Sequence, residues 1–215
     1  MRAGRTWLFD LDNTLHNATP HIFPHINLSM RAYIERHLGV DAHEANRIRM
    51  DYWQRYGATL LGMMRHHGTD PRHFLHETHQ FPDLQRMIVF EKPLLHALRR
   101  LPGRRIVFSN APRRYAAAVL RITGLERCFD ALYAVENLNY RPKPQLAGFR
   151  ALLQAEKLDP RRCIMVEDSL GNLMTAKKLG MRTVLVSASS RRSPCVDVTI
   201  RSVLDLPRHC RRLQS

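Results

Sequence analysis

Short, nearly unbroken apolar runs alternate along this chain with stretches in which apolar residues recur every three or four positions. The first run, Thr6-Trp7-Leu8-Phe9, ends in the acidic stretch Asp10-Leu11-Asp12. Similar runs occupy residues 105–108, 131–135, 163–166 and 183–186. Helical spacing lies between them, over residues 113–123 closed by Gly124, 144–156, and 170–179 closed by Gly180. Strands that are apolar on both sides, each followed by a helix, predict an α/β fold: a Rossmann-like parallel sheet core with helices on both faces. Ligands of such sheets bind beyond the carboxyl ends of the strands, so polar residues that directly follow a strand are the ones to inspect.

Residues 17–89 break the alternation and read as helix throughout. Thr19 and Pro20 suit an N-cap and first helical position, with Ile22, Ile26, Met30, Ile34 and Leu38 marking one face as far as Gly39. Asp41 and Glu44 open a second helix, residues 60–67 form a third, and Asp70-Pro71 starts a fourth. The pattern predicts a small α-helical cap over 17–89, inserted after the first strand of a core made from 1–16 and 90–215.

A chain of 215 residues can bury one substantial core and a small accessory module. At 44% hydrophobic and 25% charged, it has the composition of an ordinary folded protein. No apolar run approaches the ~20 residues a membrane span needs, and the run after Arg2 and Arg5 is too short for a secretion signal, so a cytoplasmic protein is expected. Cys128, Cys163, Cys195 and Cys210 lack metal-site spacing and are expected to be reduced thiols. Lys and Arg number 34 against 19 Asp and Glu, a net charge of +15 that would draw phosphorylated partners. The basic residues are dispersed, in short groups such as Arg99-Arg100, Arg104-Arg105 and Arg191-Arg192, without interleaved aromatics. That favours a solvated basic surface over a dedicated nucleic-acid site.

Asp10 and Asp12 stand two positions apart on the loop past the first strand. Such a pair can converge on one phosphorus, one carboxylate attacking while the other handles the leaving group's proton. Alone, the triplet reads rather as a polar loop with an Asx turn. Three further strand ends carry complementary chemistry. Ser109, followed by Asn110, can hold phosphate oxygens through its hydroxyl and neighbouring backbone N–H groups. Lys143 sits on the loop after the third strand, where Pro144 would start a helix. Glu167 and Asp168 supply hard oxygen ligands suited to Mg²⁺.

These segments resemble the motifs of the haloacid dehalogenase-like hydrolase superfamily, which match Phe9-Asp10-Leu11-Asp12-Asn13-Thr14-Leu15, Ser109-Asn110, Lys143-Pro144 and Val166-Glu167-Asp168-Ser169. Tyr56-Gly57-Ala58-Thr59-Leu60 and Glu167-Asp168-Ser169-Leu170-Gly171-Asn172-Leu173 look most like its pyrimidine 5′-nucleotidase branch, although His16 replaces an aromatic residue of that branch. The resemblance implies a phosphomonoesterase acting on a small phosphorylated substrate such as UMP or CMP. Asp10 would become an aspartyl-phosphate, and Asp12 would give and then take a proton. Mg²⁺ would be held by Asp10, the Asp12 backbone carbonyl and Asp168, with Glu167 as an outer partner and Lys143 offsetting charge. Ser109, Asn110, Asn13 and Thr14 would lie on the substrate side, Thr14 either shaping the loop or serving as a plain turn hydroxyl. A proton donor at Asp12 disfavours dehalogenation, since halide leaves unprotonated. The alternatives are a phosphatase for another small metabolite, or a basic nucleic-acid- or partner-binding protein without turnover.

The histidines of His73-Phe74-Leu75-His76-Glu77-Thr78-His79 miss zinc-protease spacing and read as solvated surface. Met63, Met64 and Trp53 are expected inside the cap. His16, Asn17 and His21, near the cap junction, are candidates to face the substrate's base or sugar.

Overall fold

β1 (Thr6–Phe9) is buried at every position, as an apolar run flanked by strands on both sides must be. The structure, a computed structural model, describes residues 5–189 and 193–214, so Arg2, Arg191 and Arg192 lie outside the described residues. β1 pairs in parallel with β2 (Arg104–Phe108) on one side and β4 (Cys163–Glu167) on the other. β3 (Ala131–Tyr133) extends the sheet past β2, while β5 (Arg182–Val186) and β6 (Val198–Ile200) extend it past β4. The order is β3-β2-β1-β4-β5-β6, all parallel. The chain winds outward in both directions from β1, which opens a crevice at that strand's carboxyl end, where Asp10 begins.

Five helices follow β1: α1 (Ile22–Leu38), α2 (Ala42–Tyr56), α3 (Thr59–His67), α4 (Pro71–Thr78) and α5 (Leu84–Met87). The rest are α6 (Leu94–Arg99), α7 (Arg113–Ile122), α8 (Leu146–Ala155), α9 (Leu170–Lys178) and α10 (Leu206–Gln214). Strand residues alternate between two cores. Trp7, Phe9, Val107, Ile164, Val166 and Val184 face α6, α7 and α10. Leu8, Ile106, Phe108, Met165 and Leu185 face α8 and α9, with Phe108 edge-on to Phe149 at 5.0 Å. Each large apolar side chain so enclosed contributes about 1.5–3 kcal/mol, and helices on both faces are what make this burial two-sided.

Tyr33, Ile34, Ala45, Leu60, Met63, Phe74 and Leu75 of α1–α4 form a cluster of their own, joined by Val135 from the segment after β3. The chain passes between this group and the sheet through an antiparallel bridge of Asn17 with Val89. Gly57, at φ +79°, lies against the Lys143-Pro144 loop so closely that a Cβ would come within 2.5 Å of Pro144 Cδ. Asp41 and Asp70 cap α2 and α4, accepting from the Glu44 and Arg72 N–H groups at 2.8 and 2.9 Å.

Several local expectations are corrected. α1 begins at Ile22 behind His21 rather than at Thr19-Pro20, because the Thr19 hydroxyl is engaged with Asn13 Oδ1 at 3.1 Å. α8 begins at Leu146 behind Gln145 rather than at Pro144. The Lys143–Pro144 peptide is cis, and the Pro144 carbonyl accepts the Thr175 hydroxyl of α9 at 2.8 Å. Trp53 is 55% exposed instead of filling an interior, because it lies on the solvent side of α2. Met63 is buried and Met64 half-buried. α5 and β6 had no clear sequence signal. The four cysteines are free thiols. Among the described residues no helix is long and apolar enough to cross a membrane.

Candidate active site

The Asp10 N–H donates to the Val166 carbonyl at 3.0 Å, so the backbone of the first carboxylate is held as a continuation of the sheet. Lys143 comes from the loop after β3 and is only 1% exposed. Its Nζ donates to Asp10 Oδ1 and to Glu167 Oε2, both at 2.7 Å, and lies 5.1 Å from the centre of the Phe108 ring. The loop is seated closely: Gly148 of α8 leaves room for the Arg141 carbonyl, which a Cβ would meet at 2.2 Å. Asn110 clasps Lys143 from the other side. Its Oδ1 accepts the Lys143 backbone N–H at 2.7 Å and its Nδ2 donates to the Lys143 carbonyl at 2.9 Å.

Glu167 Oε1 accepts the N–H groups of Asp168 and Ser169, both at 3.2 Å. With Oε2 on Lys143, both of its oxygens have protein donors. The carboxylates of Asp10, Glu167 and Asp168 nevertheless crowd together, offering one oxygen each within 4.8 Å of one another. Burial pushes Asp10 up to about 7, the Glu167 charge adding to this and Lys143 opposing it. Burial and then the Asp10 charge also raise Asp168. Glu167 is raised by burial against the pull of Lys143. Burial disfavours the Lys143 ammonium, but Asp10 and Glu167 together outweigh it and hold the amine protonated. Two buried acids thus share one cation, with the half-buried Asp168 crowded beside them. A hard, oxygen-rich cluster with excess negative charge suits Mg²⁺ or a similar divalent ion.

The other residues singled out from sequence lie around this cluster. Ser109 is buried; its N–H continues the sheet to the Tyr133 carbonyl at 2.9 Å, and its Oγ accepts from the Ala111 N–H at 3.0 Å. Both N–H groups are therefore committed within the protein, which leaves the hydroxyl proton as the donor Ser109 can offer. Thr14 Oγ1 is 3.5 Å from Asp10 Oδ2, at the limit of a hydrogen bond. Asn13, at φ +61°, uses Oδ1 to tie down the Ala18 N–H at 2.9 Å and the Thr19 hydroxyl. The Asp12 side chain stands apart from the acidic cluster. Its Oδ1 accepts the Tyr115 hydroxyl at 2.6 Å and meets His16 Nε2 at 2.8 Å.

Tyr115 had no sequence signal beyond its place on the inward face of α7, beside Ala116 and Val119. Of the three residues expected to face the substrate's base or sugar, His16 is buried at 4% exposure with its ring on Asp12, whereas Asn17 and His21 are exposed. His79 also departs from expectation. His73 and His76 are exposed, but His79 packs edge-on to Tyr115 with ring centres 6.1 Å apart. Burial drives its pKa from 6.5 down to about 4, a nearby Asp12 charge only partly opposing. Since the folded value lies below the unfolded one, the associated stability is complete above pH 6.5 and is lost as pH falls through about 4. Thermal melts at pH 7.5 and 4.5 should show wild type losing up to about 3 kcal/mol more on acidification than His79→Gln. Parallel losses in the two proteins would refute this.

Comparison with known proteins agrees with the fold. The chain belongs to the haloacid dehalogenase-like hydrolase family, whose model matches residues 5–180. It is 23% identical over 201 residues to phosphate metabolism protein 8 of Saccharomyces cerevisiae, an alignment covering 85% of this chain and 61% of that protein. It is 28% identical over 144 residues to the GMP/IMP nucleotidase YrfG of Escherichia coli, covering 66% and 58% respectively. The chain therefore spans about three-fifths of the length of these two relatives. Among solved structures, a HAD phosphatase from Thermococcus onnurineus superposes with a TM-score of 0.66 at 22% identity, covering 98% of this chain and all of that one.

Proposed function

We propose that this hydrolase is a Mg²⁺-dependent phosphomonoesterase that works through an aspartyl-phosphate on Asp10 and acts on nucleoside 5′-monophosphates, UMP and CMP foremost. The observation that carries the reading is the Asp10 carboxylate at the end of β1, bonded by Lys143 at 2.7 Å and crowded by two further acids. Asp10 would form a bond to phosphorus as the phosphorus–oxygen bond to the leaving alcohol breaks. Asp12 would give that alcohol oxygen its proton, then take one from the water that cleaves the aspartyl-phosphate, restoring both acids and freeing phosphate. Lys143 offsets the charge that builds up around Asp10 and the phosphoryl oxygens. Asp10, Asp168 and the Asp12 backbone carbonyl would hold Mg²⁺, which when bound supplies positive charge against the repulsion between carboxylate and phosphate dianion. Glu167, with both oxygens on protein donors, braces Lys143.

Residues 17–89 would act as a cap on a core of 1–16 and 90–215. The separate apolar cluster of α1–α4 and the contact of Gly57 with Pro144 support that reading. The likeness to a GMP/IMP nucleotidase favours purine monophosphates as a second reading. A panel of UMP, CMP, GMP, IMP and sugar phosphates, assayed with Mg²⁺ and with EDTA, separates them. Phosphate release should require the metal and exceed that of Asp10→Asn, with UMP and CMP showing the highest kcat/KM. Release no greater than the Asp10→Asn background on every ester would end the enzymatic reading, and a lead for GMP and IMP would move it to purines.

A further inference from the structure

Asp12 does not sit freely on its loop. Tyr115, 103 residues away in sequence, donates its hydroxyl to Oδ1 at 2.6 Å, and His16 Nε2 meets the same oxygen at 2.8 Å. Oδ2 has no partner among the described residues, and the Asp12 side chain is 17% exposed. We propose that His16 and Tyr115 are positioning residues that clamp Asp12 through Oδ1, so that the proton it exchanges with the substrate travels on Oδ2.

An ionised Asp12 can only accept at Oδ1, so the 2.8 Å contact requires the imidazole proton on Nε2. In the neutral ring Nδ1 is then a bare lone pair, which fits its burial without a partner. The opposite tautomer would bury an unpaired N–H and face a lone pair with a carboxylate, which is the worse arrangement on both nitrogens. Neither clamping side chain is loose. The His16 side chain is fully enclosed, and Tyr115 is 3% exposed, with Phe81 at 5.1 Å and His79 at 6.1 Å between ring centres. The Tyr115 hydroxyl is also 3.3 Å from His16 Nε2, so the three groups form one closed contact set. Two donors on one oxygen restrict rotation of the carboxylate and leave its second oxygen without a protein partner among the described residues. A proton-transfer group held in place is worth more than one that must find its orientation at each turnover.

This inference rests on the reading of Asp12 as the acid–base, and the test separates the two. An alcohol needs a proton to leave, whereas p-nitrophenolate departs without one, and kcat/KM reports the first transfer alone. Wild type, Tyr115→Phe, His16→Gln and His16→Leu are compared on p-nitrophenyl phosphate and on whichever of UMP, GMP or glycerol 3-phosphate wild type cleaves best. Tyr115→Phe keeps the ring and its packing, so it should fold; a melt confirms this. Its kcat/KM on the alkyl ester should fall about 10- to 100-fold, the usual effect of one hydrogen bond to a charged group, with less than about a threefold change on p-nitrophenyl phosphate. His16→Leu should lose about tenfold on the alkyl ester, and His16→Gln, which keeps a donor at the Nε2 position, should recover most of it. Equal losses on both esters would reduce the pair to a structural role and overturn the proposal. A faster alkyl reaction in the variants would overturn it too, by showing that the contacts sequester Asp12. A wild type inert toward every ester would remove the enzymatic reading itself, and the proposal with it.

Discussion

Asp10→Asn should lower phosphate release by ~10⁴-fold or more while the protein still folds. The amide cannot form a bond to phosphorus under these conditions, yet it keeps an acceptor for Lys143 Nζ. The variant also removes one of three crowded acids. Because the folded-state value of Asp10 is raised to about 7, its favourable contribution is present below the ordinary carboxylate range and lost as pH rises through about 7. Without added metal, Asp10→Asn should therefore melt at or above wild type at pH 8 and lose that advantage at pH 5. Phosphate release and melts across this range check both halves. Residual turnover near wild type would exclude Asp10 as the nucleophile.

Lys143→Met should damage both activity and fold. The methionine fills much of the volume but leaves Asp10 and Glu167 buried without their common cation, and breaking a buried pair in this way typically costs about 3–5 kcal/mol. In a chain of 215 residues that lowers the melting temperature by roughly 10 °C. Activity should fall by about 10²–10³-fold, since the charge on the phosphoryl oxygens loses its fixed counterpart. Adding Glu167→Gln should restore much of the stability and none of the activity, because it removes a buried charge without replacing the ammonium. Melts and kcat/KM on the two variants separate the effects. A Lys143→Met protein that melts with wild type would show that the pair contributes nothing net to folding. From sequence, Lys143 is expected to matter more for turnover than for folding; its near-complete burial makes the two inseparable in a single substitution.

The central strands were legible because two-sided burial demands continuous apolar runs, as in Trp7-Leu8-Phe9 and Cys163-Ile164-Met165-Val166. β6 is three residues at the sheet's edge with an exposed Thr199 in the middle, too little pattern to separate from loop. Pro144 misled for a local reason: a proline suits a first helical position, but here the carbonyl of that residue is engaged by α9 and the helix starts later. Asp10, Lys143, Glu167 and Asp168 were legible because a parallel sheet brings its strand ends together, so chemistry written at separate strand ends meets in space. What holds Asp12 was not. Tyr115 reaches it only through the packing of α7, which no local spacing records. His16 lies four positions on and was within reach of a local reading, but nothing in the sequence told a buried imidazole from an exposed one. The same holds for His79, whose neighbours in sequence are solvent-facing or polar and whose ring is enclosed by another element.

The clasp of Asn110 on Lys143 has a mechanical consequence. Its amide gives and takes the same two backbone hydrogen bonds that an adjacent strand would offer, so it fastens the loop after β2 to the loop that carries Lys143. A substitution at Asn110 would therefore unfasten the backbone that carries the Lys143 ammonium to Asp10 without touching the ammonium itself.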